Sequence, residues 1–366
     1  MRPPLWALLI AGLIEGCTPV EGLSAIETLK APFDVEARRA LMGRPPAHFA
    51  CPAPPAPMRD VDANTFYSDS NHSIVDAERY RRNQEITRPL AEFTRKLGDF
   101  GDAWMGSLPA NPAPARCALD WLDTWAGAEA LLGTLTMQGA YERKWTLAGS
   151  ALAYLRVRYA PGLDPARKAR VEAWFVRLAR AMIPYYERPP GSGISDKINN
   201  HLYWAALAAA SAGVAAGDRT LFDWGIQRYR FAARQIAADG TLPLELARRS
   251  KAHAYHVFSA MPLVMLAELG RANGLDLYAE EGGALGRLVH RAVDGFADPS
   301  YLARAAGAPQ EIEKIDAWRT SWMEIWYART GDPAVLLWLA SNRPARNRWL
   351  GGDATLAFGV RDLPQP

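Results

Sequence analysis

The sequence predicts an all-α protein, and three observations support this. Apolar residues recur at helical spacing over most of the chain. Gly, Pro or Asp separates these periodic segments roughly every 20–25 residues. Convincing runs of strand-like alternation are absent from the sequence. About ten helices joined by short loops indicate antiparallel pairs, which can form a bundle, a superhelix or a closed ring, and periodicity does not choose among these.

Composition narrows the partners that the protein can have. The chain of 366 residues carries 42 Lys and Arg against 39 Asp and Glu, a net charge of +3. This mild excess excludes a dedicated nucleic-acid binder but suits an acidic substrate. The 13 Trp residues suit a carbohydrate cleft, although Trp also fills helix interfaces. A chain of this length buries a large core without a disulfide scaffold.

Residues 1–23 are predicted to be a signal peptide. Arg2 is followed by an apolar run from Leu5 to Ile14, which is too short to span a bilayer. No later stretch is long and apolar enough to be transmembrane, so we expect a periplasmic or secreted protein. Cys17 lies in a sequence that loosely resembles a lipidation site, but Glu15 fits that pattern poorly, and anchoring at Cys17 is the less favoured alternative.

Residues 24–75 are predicted to form an extended arm and a lid loop. Residues 43–58 are too rich in Pro to form a regular helix, and residues 60–72 are polar and rich in turn formers. Loss of the leader leaves Cys51 and Cys117, which an exported compartment would oxidise. We therefore expect a disulfide that joins the arm to the helical body; the alternative is two buried free thiols.

Residues 76–366 are predicted to form one helical domain, and we expect a monomer. Asp164-Pro165 is typical of a helix start, and Gly217-Asp218 of a helix end followed by a new start. Another long helix is predicted from Arg248 to Leu269, and later periodic segments follow around Leu285 and Trp318. No disorder-like linker divides this region.

The common cofactor and metal motifs are missing. There is no Walker loop, GxGxxG, HExxH, CxxC pair or GxSxG elbow. His253 and His256 lie three residues apart on one predicted helix, but no carboxylate occupies the neighbouring positions expected of a metal site. We therefore expect no metal and no cofactor.

Residues 195–206 read SDKINNHLYWAA, and two adjacent Asn before a His are unusual in a helical protein. A helix that begins near Asn199 would place Asn200, His201 and Trp204 on one face, beside the positive end of the helix dipole. An amide, an imidazole and a helix N-terminus suit the binding of a carboxylate. The alternative is ordinary capping with a buried structural His.

Residues 245–256 read ELARRSKAHAYH. Arg248 and Tyr255 are seven residues apart, so two helical turns would place them on one face, with Lys251 between them. Two cations beside a phenol lower its pKa from about 10, so Tyr255 could act as a general base. The alternative is a solvated basic helix face with an incidental Tyr.

The segment KINNHLYWAA closely resembles the signature of alginate lyases of polysaccharide lyase family five. The resemblance extends to CALDWLDTWA at 117–126, RKWTLAGSALAYLRVRY at 143–159, LFDW at 221–224, LPLELARRSKAHAYH at 242–256 and LGG at 350–352. It implies a single α/α toroid, an incomplete barrel of antiparallel helix pairs around a long groove. It also implies an exported enzyme that cleaves a polyuronate by β-elimination without a metal.

The resemblance implies roles for individual residues. Asn200 and His201 would contact and neutralise the C5 carboxylate, assisted by Arg248. Tyr255, kept reactive by Arg248, would take the C5 proton and return a proton to O4, and His201 could be the base where the elimination is anti. Six further residues are candidate substrate contacts: Trp204, Tyr154, Lys251, Arg143, Arg348 and Tyr67.

One departure from the family pattern lies in the lid. Members of the family carry a basic residue before an S-D-S-type motif, but residues 60–78 of this chain contain no Lys or Arg while they keep Ser68-Asp69-Ser70. Alginate or polymannuronate is the expected substrate, and polyglucuronate or a hyaluronate-like chain is the alternative. A non-catalytic polyuronate-binding protein and a glycoside hydrolase with a carboxylate pair are the rival functions.

Overall fold

The computed structural model describes residues 28–187 and 198–364, and in these ranges the chain is helical as the sequence predicts. The predicted leader, with Cys17, lies outside the described residues. Two short strands, β1 (Arg346–Asn347) and β2 (Gly352–Asp353), pair antiparallel. The helices are α1 (Val35–Met42), α2 (Ala77–Met105), α3 (Ala113–Gly127), α4 (Met137–Val157), α5 (Pro165–Tyr186), α6 (Asn200–Ala216), α7 (Arg219–Gln235), α8 (Pro243–Leu246), α9 (Ala252–Ala272), α10 (Glu280–Ala297), α11 (Ser300–Ala306), α12 (Ala317–Thr330), α13 (Leu336–Asn342) and α14 (Ala354–Phe358).

The helices form two layers. Helices α2, α4, α6, α9 and α12 pack one against the next in that order. Helices α3, α5, α7 and α10 each follow one of these in the chain and pack against it. The strand pair and α14 contact both α12 and α2, and so connect the last inner helix to the first. The fold is therefore an α/α toroid.

Capping residues begin and end the helices where the sequence indicates. Asp164 accepts from the backbone N–H groups of Ala166 and Arg167, with Pro165 at the first helical position of α5. Gly217 ends α6 with a φ of 70°, a left-handed conformation that glycine adopts without strain. Asp218 then caps α7.

Helix α6 is the most enclosed helix of the inner layer and is apolar on nearly every face. Its residues from Leu202 to Ala215 are all buried between α4, α5, α7 and α9. A Cβ at Gly225 of α7 would lie 2.6 Å from the carbonyl oxygen of Ala206, so glycine is needed for this close approach. The surrounding helices thus hold the N-terminal end of α6 in a fixed position.

The N-terminal arm is joined to α3. Cys51 and Cys117 form the predicted disulfide. The carbonyl oxygens of Pro52 and Pro55 accept hydrogen bonds from the indole N–H groups of Trp121 and Trp125, at 2.8 and 3.1 Å. Residues 43–58 contain no helix, as their proline content predicts, but α1 is a helix of 8 residues that the extended-arm prediction missed.

The prediction of one helix from Arg248 to Leu269 is wrong at its start. Helix α8 ends at Leu246, a 3-10 turn covers Arg249–Lys251, and α9 begins only at Ala252. Arg249 has a φ of 51°, which breaks the helical path. Among the described residues, no helix combines the length and the apolar character that crossing a membrane requires.

Candidate active site

A cleft of about 340 Å³ opens at the centre of the toroid. Its walls come from α2, α4, the N-terminal end of α6, the turn before α9, α9 itself, α12 and the lid loop. Asn200, His201, Arg248 and Tyr255, which are predicted from two distant parts of the sequence, all line this cleft, as do Tyr67 and Arg348. Other side chains that line the cleft and bear on the site are Thr65, His72, Asn83, Tyr141, Glu142, Trp145, Phe258, Glu313 and Trp349.

The N-terminal end of α6 places Asn200 and His201 in the cleft. Asn199 is the N-cap, and its side chain accepts from the backbone N–H of His201 at 3.1 Å. The buried carboxylate of Glu245 accepts from the backbone N–H of Asn200 at 2.8 Å and from its Nδ2 at 3.0 and 3.2 Å. Asn200 Oδ1 has no partner within residues 28–187 and 198–364. The side chain therefore presents an acceptor, not the donor expected from sequence.

His201 rests on a buried lysine. Lys144 is fully enclosed, its Nζ lies 3.0 Å from His201 Nδ1, and the amine stands over the rings of Tyr141 and Trp145. The imidazole stacks on Tyr141 with ring centroids 3.8 Å apart. Burial, and then the charges of Lys144 and Arg248, hold the pKa of His201 well below its usual range. The ring is therefore neutral at neutral pH.

Tyr255 lies between Arg248 and the lid. The Arg248 guanidinium carbon is 3.8 Å from the Tyr255 ring centroid, and the Tyr255 hydroxyl is 2.7 Å from the Tyr67 hydroxyl. Arg248 also donates to the carbonyl oxygen of His72 at 3.4 Å. Burial raises the pKa of Tyr255 well above 10, and Arg248 opposes this shift. The expectation of a lowered pKa is wrong, because desolvation outweighs the one adjacent cation.

A second cation enters the cleft beside an aromatic wall. Arg348 belongs to the turn Arg348–Leu350, which packs directly on α4. Gly149 of α4 permits this contact, because a Cβ at that position would overlap the Arg348 carbonyl oxygen. Burial raises the pKa of Glu142 to about 7, against the opposing charge of Arg348. Trp349 stacks on Trp145 at 4.7 Å. Cations and flat rings on one surface suit an acidic carbohydrate.

Comparison with known proteins agrees with this geometry. Residues 60–302 match the family model described as alginate lyase. The chain belongs to the alginate lyase family. An alginate lyase of Azotobacter vinelandii is 34% identical over 365 residues, which cover 97% of this chain and 93% of that protein. A polysaccharide lyase of Stenotrophomonas maltophilia is 34% identical over 320 residues, covering 86% and 93%.

Solved structures of alginate lyases share the fold. Alginate lyase A1-III from Sphingomonas species A1 has a TM-score of 0.78 at 28% identity, covering 91% of this chain and 97% of that chain. A variant of the same alginate lyase, complexed with a tetrasaccharide, has a TM-score of 0.81 at 28% identity, covering 93% and 98%. The toroid implied by the resemblance is thus confirmed.

Two of the predicted substrate contacts of this alginate lyase family member lie behind the cleft. Trp204 is fully buried because its helix is enclosed on all sides, and its ring packs 5.2 Å from Phe258 and 5.5 Å from Trp349. Tyr154 is equally buried and donates to Glu172 at 2.6 Å. Neither side chain lines the cleft, so neither is a substrate contact in this structure.

The other two misplaced residues are cations that have partners elsewhere. Arg143 points away from the cleft and donates to the carbonyl oxygen of Ala181 on α5 at 3.0 Å. Lys251 pairs with Glu311 at 2.9 Å and Glu313 at 3.6 Å, so carboxylates before α12 neutralise it. Arg143 therefore does not line the cleft, and two carboxylates offset the charge of Lys251.

Several residues of the site were missed from the sequence. Lys144 and Glu245 lie within segments that resemble the family motifs, but nothing in their spacing distinguishes a buried charge from a surface one. His253 and His256, weighed as a metal pair, bind backbone groups: His253 contacts the Ala292 carbonyl oxygen, and His256 accepts from the N–H of Leu242. Within the described ranges, no group of three or more His, Cys, Asp or Glu side chains could hold a metal ion.

Proposed function

We propose that this member of the alginate lyase family cleaves a mannuronate-rich polyuronate by β-elimination, with Tyr255 as the base and acid. The single observation that carries the proposal is the convergence of Tyr255 and Arg248 with Asn200 and His201 in one cleft. In this reaction the base removes the C5 proton, the C4–O4 bond breaks, and O4 receives a proton. The product has a C4=C5 double bond at its new end.

Arg248 supplies the positive charge at the C5 carboxylate, and the neutral His201 supplies a hydrogen-bond donor. Negative charge moves onto this group as the C5 proton leaves, so donors fixed in advance stabilise the transition state more than the ground state. Arg248 is adjacent to Tyr255, and its charge also bears on His201. Asn200 Oδ1 is an acceptor without a partner among the described residues and suits a sugar hydroxyl or a protonated carboxyl.

Lys144 determines which nitrogen of His201 carries the proton. An amine N–H that donates to Nδ1 leaves the imidazole proton on Nε2. Nδ1 is the ring nitrogen that contacts Lys144, and Nε2 has no partner among the described residues. His201 is then a hydrogen-bond donor to the carboxylate and not a base. This arrangement favours the syn elimination, in which Tyr255 performs both proton transfers.

Tyr255 has to lose its proton before it can act as a base. Arg248 is the charge that favours the phenolate, and the Tyr67 hydroxyl is within hydrogen-bonding distance of the phenol oxygen. After it has taken the C5 proton, the same phenol is positioned to protonate O4. The raised pKa of the resting phenol makes it a strong base once it is ionised.

The test is an ultraviolet assay on polymannuronate, polyguluronate, polyglucuronate and hyaluronate. We expect the wild-type enzyme to produce the unsaturated chromophore fastest from polymannuronate. New reducing ends without absorbance would instead indicate hydrolysis, and binding without either signal would indicate a non-catalytic protein. A faster rate on polyglucuronate or hyaluronate would overturn the substrate assignment but leave the elimination intact.

The same assay has an expected pH dependence. Because the pKa of Tyr255 is raised, the phenolate fraction grows as the pH rises from neutral into the alkaline range. His201, with its lowered pKa, stays neutral across this range. We therefore expect kcat/KM to increase with pH, and a decrease would contradict Tyr255 as the base.

We also propose that the protein is exported to the periplasm or secreted. The Cys51–Cys117 disulfide supports this, because such bonds persist in oxidising compartments. N-terminal sequencing of the protein from a periplasmic fraction tests it. A mature chain that begins near residue 24 is expected, and a chain that keeps its first residues in the cytoplasm would refute it.

A further inference from the structure

A second cavity adjoins the catalytic cleft on the α2 side. It measures about 360 Å³ and is lined by Asn64, Thr65, Arg79, Arg82, Asn83 and Ile86. Thr65 and Asn83 line the cleft as well, so the two spaces share a wall. A polymer that occupies the cleft therefore lies next to this cavity.

Asn83 is a polar side chain prepared for a ligand. It is 3% exposed, and its Oδ1 is buried without a partner among the residues that the structure describes. A buried amide oxygen that lacks a donor is destabilising, so its position at the junction of two cavities favours a ligand group that donates a hydrogen bond to it. A sugar hydroxyl is such a group, since it donates one hydrogen bond and accepts others.

Two arginines give this cavity a positive charge. Arg82 is exposed and forms no ion pair with any described residue. Arg79 is only loosely held: its Nε lies 3.7 Å from Asp76, and its Nη1 donates to the Tyr67 carbonyl oxygen at 3.3 Å. A guanidinium fork is the side chain best matched to a carboxylate.

We propose that Arg79, Arg82 and Asn83 form an outer subsite that binds a further uronate of the polymer, with Arg82 on its carboxylate. This inference rests on the proposed function, and it specifies the place at which the polysaccharide leaves the cleft. It also accounts for the lid, which lacks Lys and Arg between residues 60 and 78. The cationic contact comes instead from the first turns of α2, which is a rigid element.

The test compares Arg82→Gln with Arg81→Gln on oligomannuronates of three to eight sugars. Arg81 is the matched control, because it is the next residue on the same helix, lines neither cavity and pairs with Glu85 at 3.4 Å. For Arg82→Gln we expect a loss of kcat/KM that grows with the length of the oligomer to about tenfold. The loss should arise from a higher KM, and kcat/KM should depend less on salt concentration than in the wild-type enzyme. The loss for Arg81→Gln should be smaller than twofold at every length.

An equal loss at all lengths, no loss, or an equal loss in both variants would overturn the subsite. Failure of the proposed function has a different signature, because the wild-type enzyme would then give no unsaturated product from any oligomer. In that case calorimetric titration with an oligomannuronate of eight sugars still tests the subsite. Binding that Arg82→Gln weakens and Arg81→Gln does not would support it, and equal binding by all three proteins would refute it.

Discussion

The two walls of the cleft are built in different ways. The helical wall holds His201 and Asn200 through Lys144 and Glu245, and apart from His201 these side chains are buried completely. The opposite wall is the lid loop, whose Tyr67 and His72 remain partly accessible. Buried polar partners fix a side chain in one orientation, whereas a loop can exchange conformations. In the proposed function, the fixed donor to the C5 carboxylate therefore belongs to the rigid wall and enclosure of the polymer to the lid.

The lid nevertheless has a defined internal structure. The side chain of Asp69 accepts from the backbone N–H groups of Ser73 and Ile74 at 2.8 and 2.7 Å, and Tyr67 pairs with Val75 as an isolated bridge. Asp69 belongs to the Ser68-Asp69-Ser70 segment that the chain shares with the family pattern. The segment thus shapes the loop, and the Tyr67 hydroxyl is its contact with Tyr255.

The largest effect is expected where the two walls meet. Tyr255→Phe removes the oxygen that carries both proton transfers in the proposed reaction, so kcat should fall at least about 10³-fold, or about 4 kcal/mol in activation free energy. Ultraviolet absorbance measures the rate, and calorimetric titration with polymannuronate should show that binding persists. If Tyr255→Phe keeps more than a tenth of the wild-type rate, Tyr255 is not the base, and the two walls do not have the different roles proposed for them.

An intermediate effect is expected from a change within the rigid wall. Lys144→Met removes the donor to His201 Nδ1, so both tautomers become populated and kcat should fall about 10- to 100-fold, with little change in KM. Lys168→Met, on α5 outside the cleft, is the control and should keep the wild-type rate. Nitrogen-15 NMR of labelled histidine reads the tautomer directly, and a proton on Nδ1 of His201 in the wild-type enzyme would refute the role of Lys144.

The smallest effect is expected from the lid. Tyr67→Phe removes one hydroxyl contact to Tyr255, worth about 0.5–1.5 kcal/mol, so kcat/KM should fall about two- to tenfold. Tyr159→Phe, at a ring that is exposed outside the cleft, should change nothing. A loss with Tyr67→Phe as large as that with Tyr255→Phe would show that the lid takes part in proton transfer, and the contrast between the walls would disappear.

The sequence predicted the helices well because periodicity and capping are local. Asp164, Gly217 and Asp218 each begin or end a helix where their chemistry requires. The segment before Tyr255 was mispredicted because the positive φ of Arg249 is not encoded by a glycine. The resemblance brought Tyr255 and His201 together, which no spacing rule could have done across 54 positions.

Burial was the quantity that the sequence did not reveal. Trp204 and Tyr154 stand on the right helices but one layer behind the cleft, and only packing shows this. The raised pKa of Tyr255 follows from desolvation, which depends on residues far along the chain. The neutralisation of Lys251 likewise comes from Glu311 and Glu313, which lie about sixty positions away.

The enclosed amine of Lys144 lowers the free energy of unfolding of this toroid. An amine packed between Tyr141 and Trp145, without a carboxylate at ion-pairing distance in the described structure, costs free energy that a thioether of similar length would not. Selection for a higher melting temperature alone would therefore discard it. A thermostable descendant that keeps its turnover has to gain its stability elsewhere, in the outer helices or the arm.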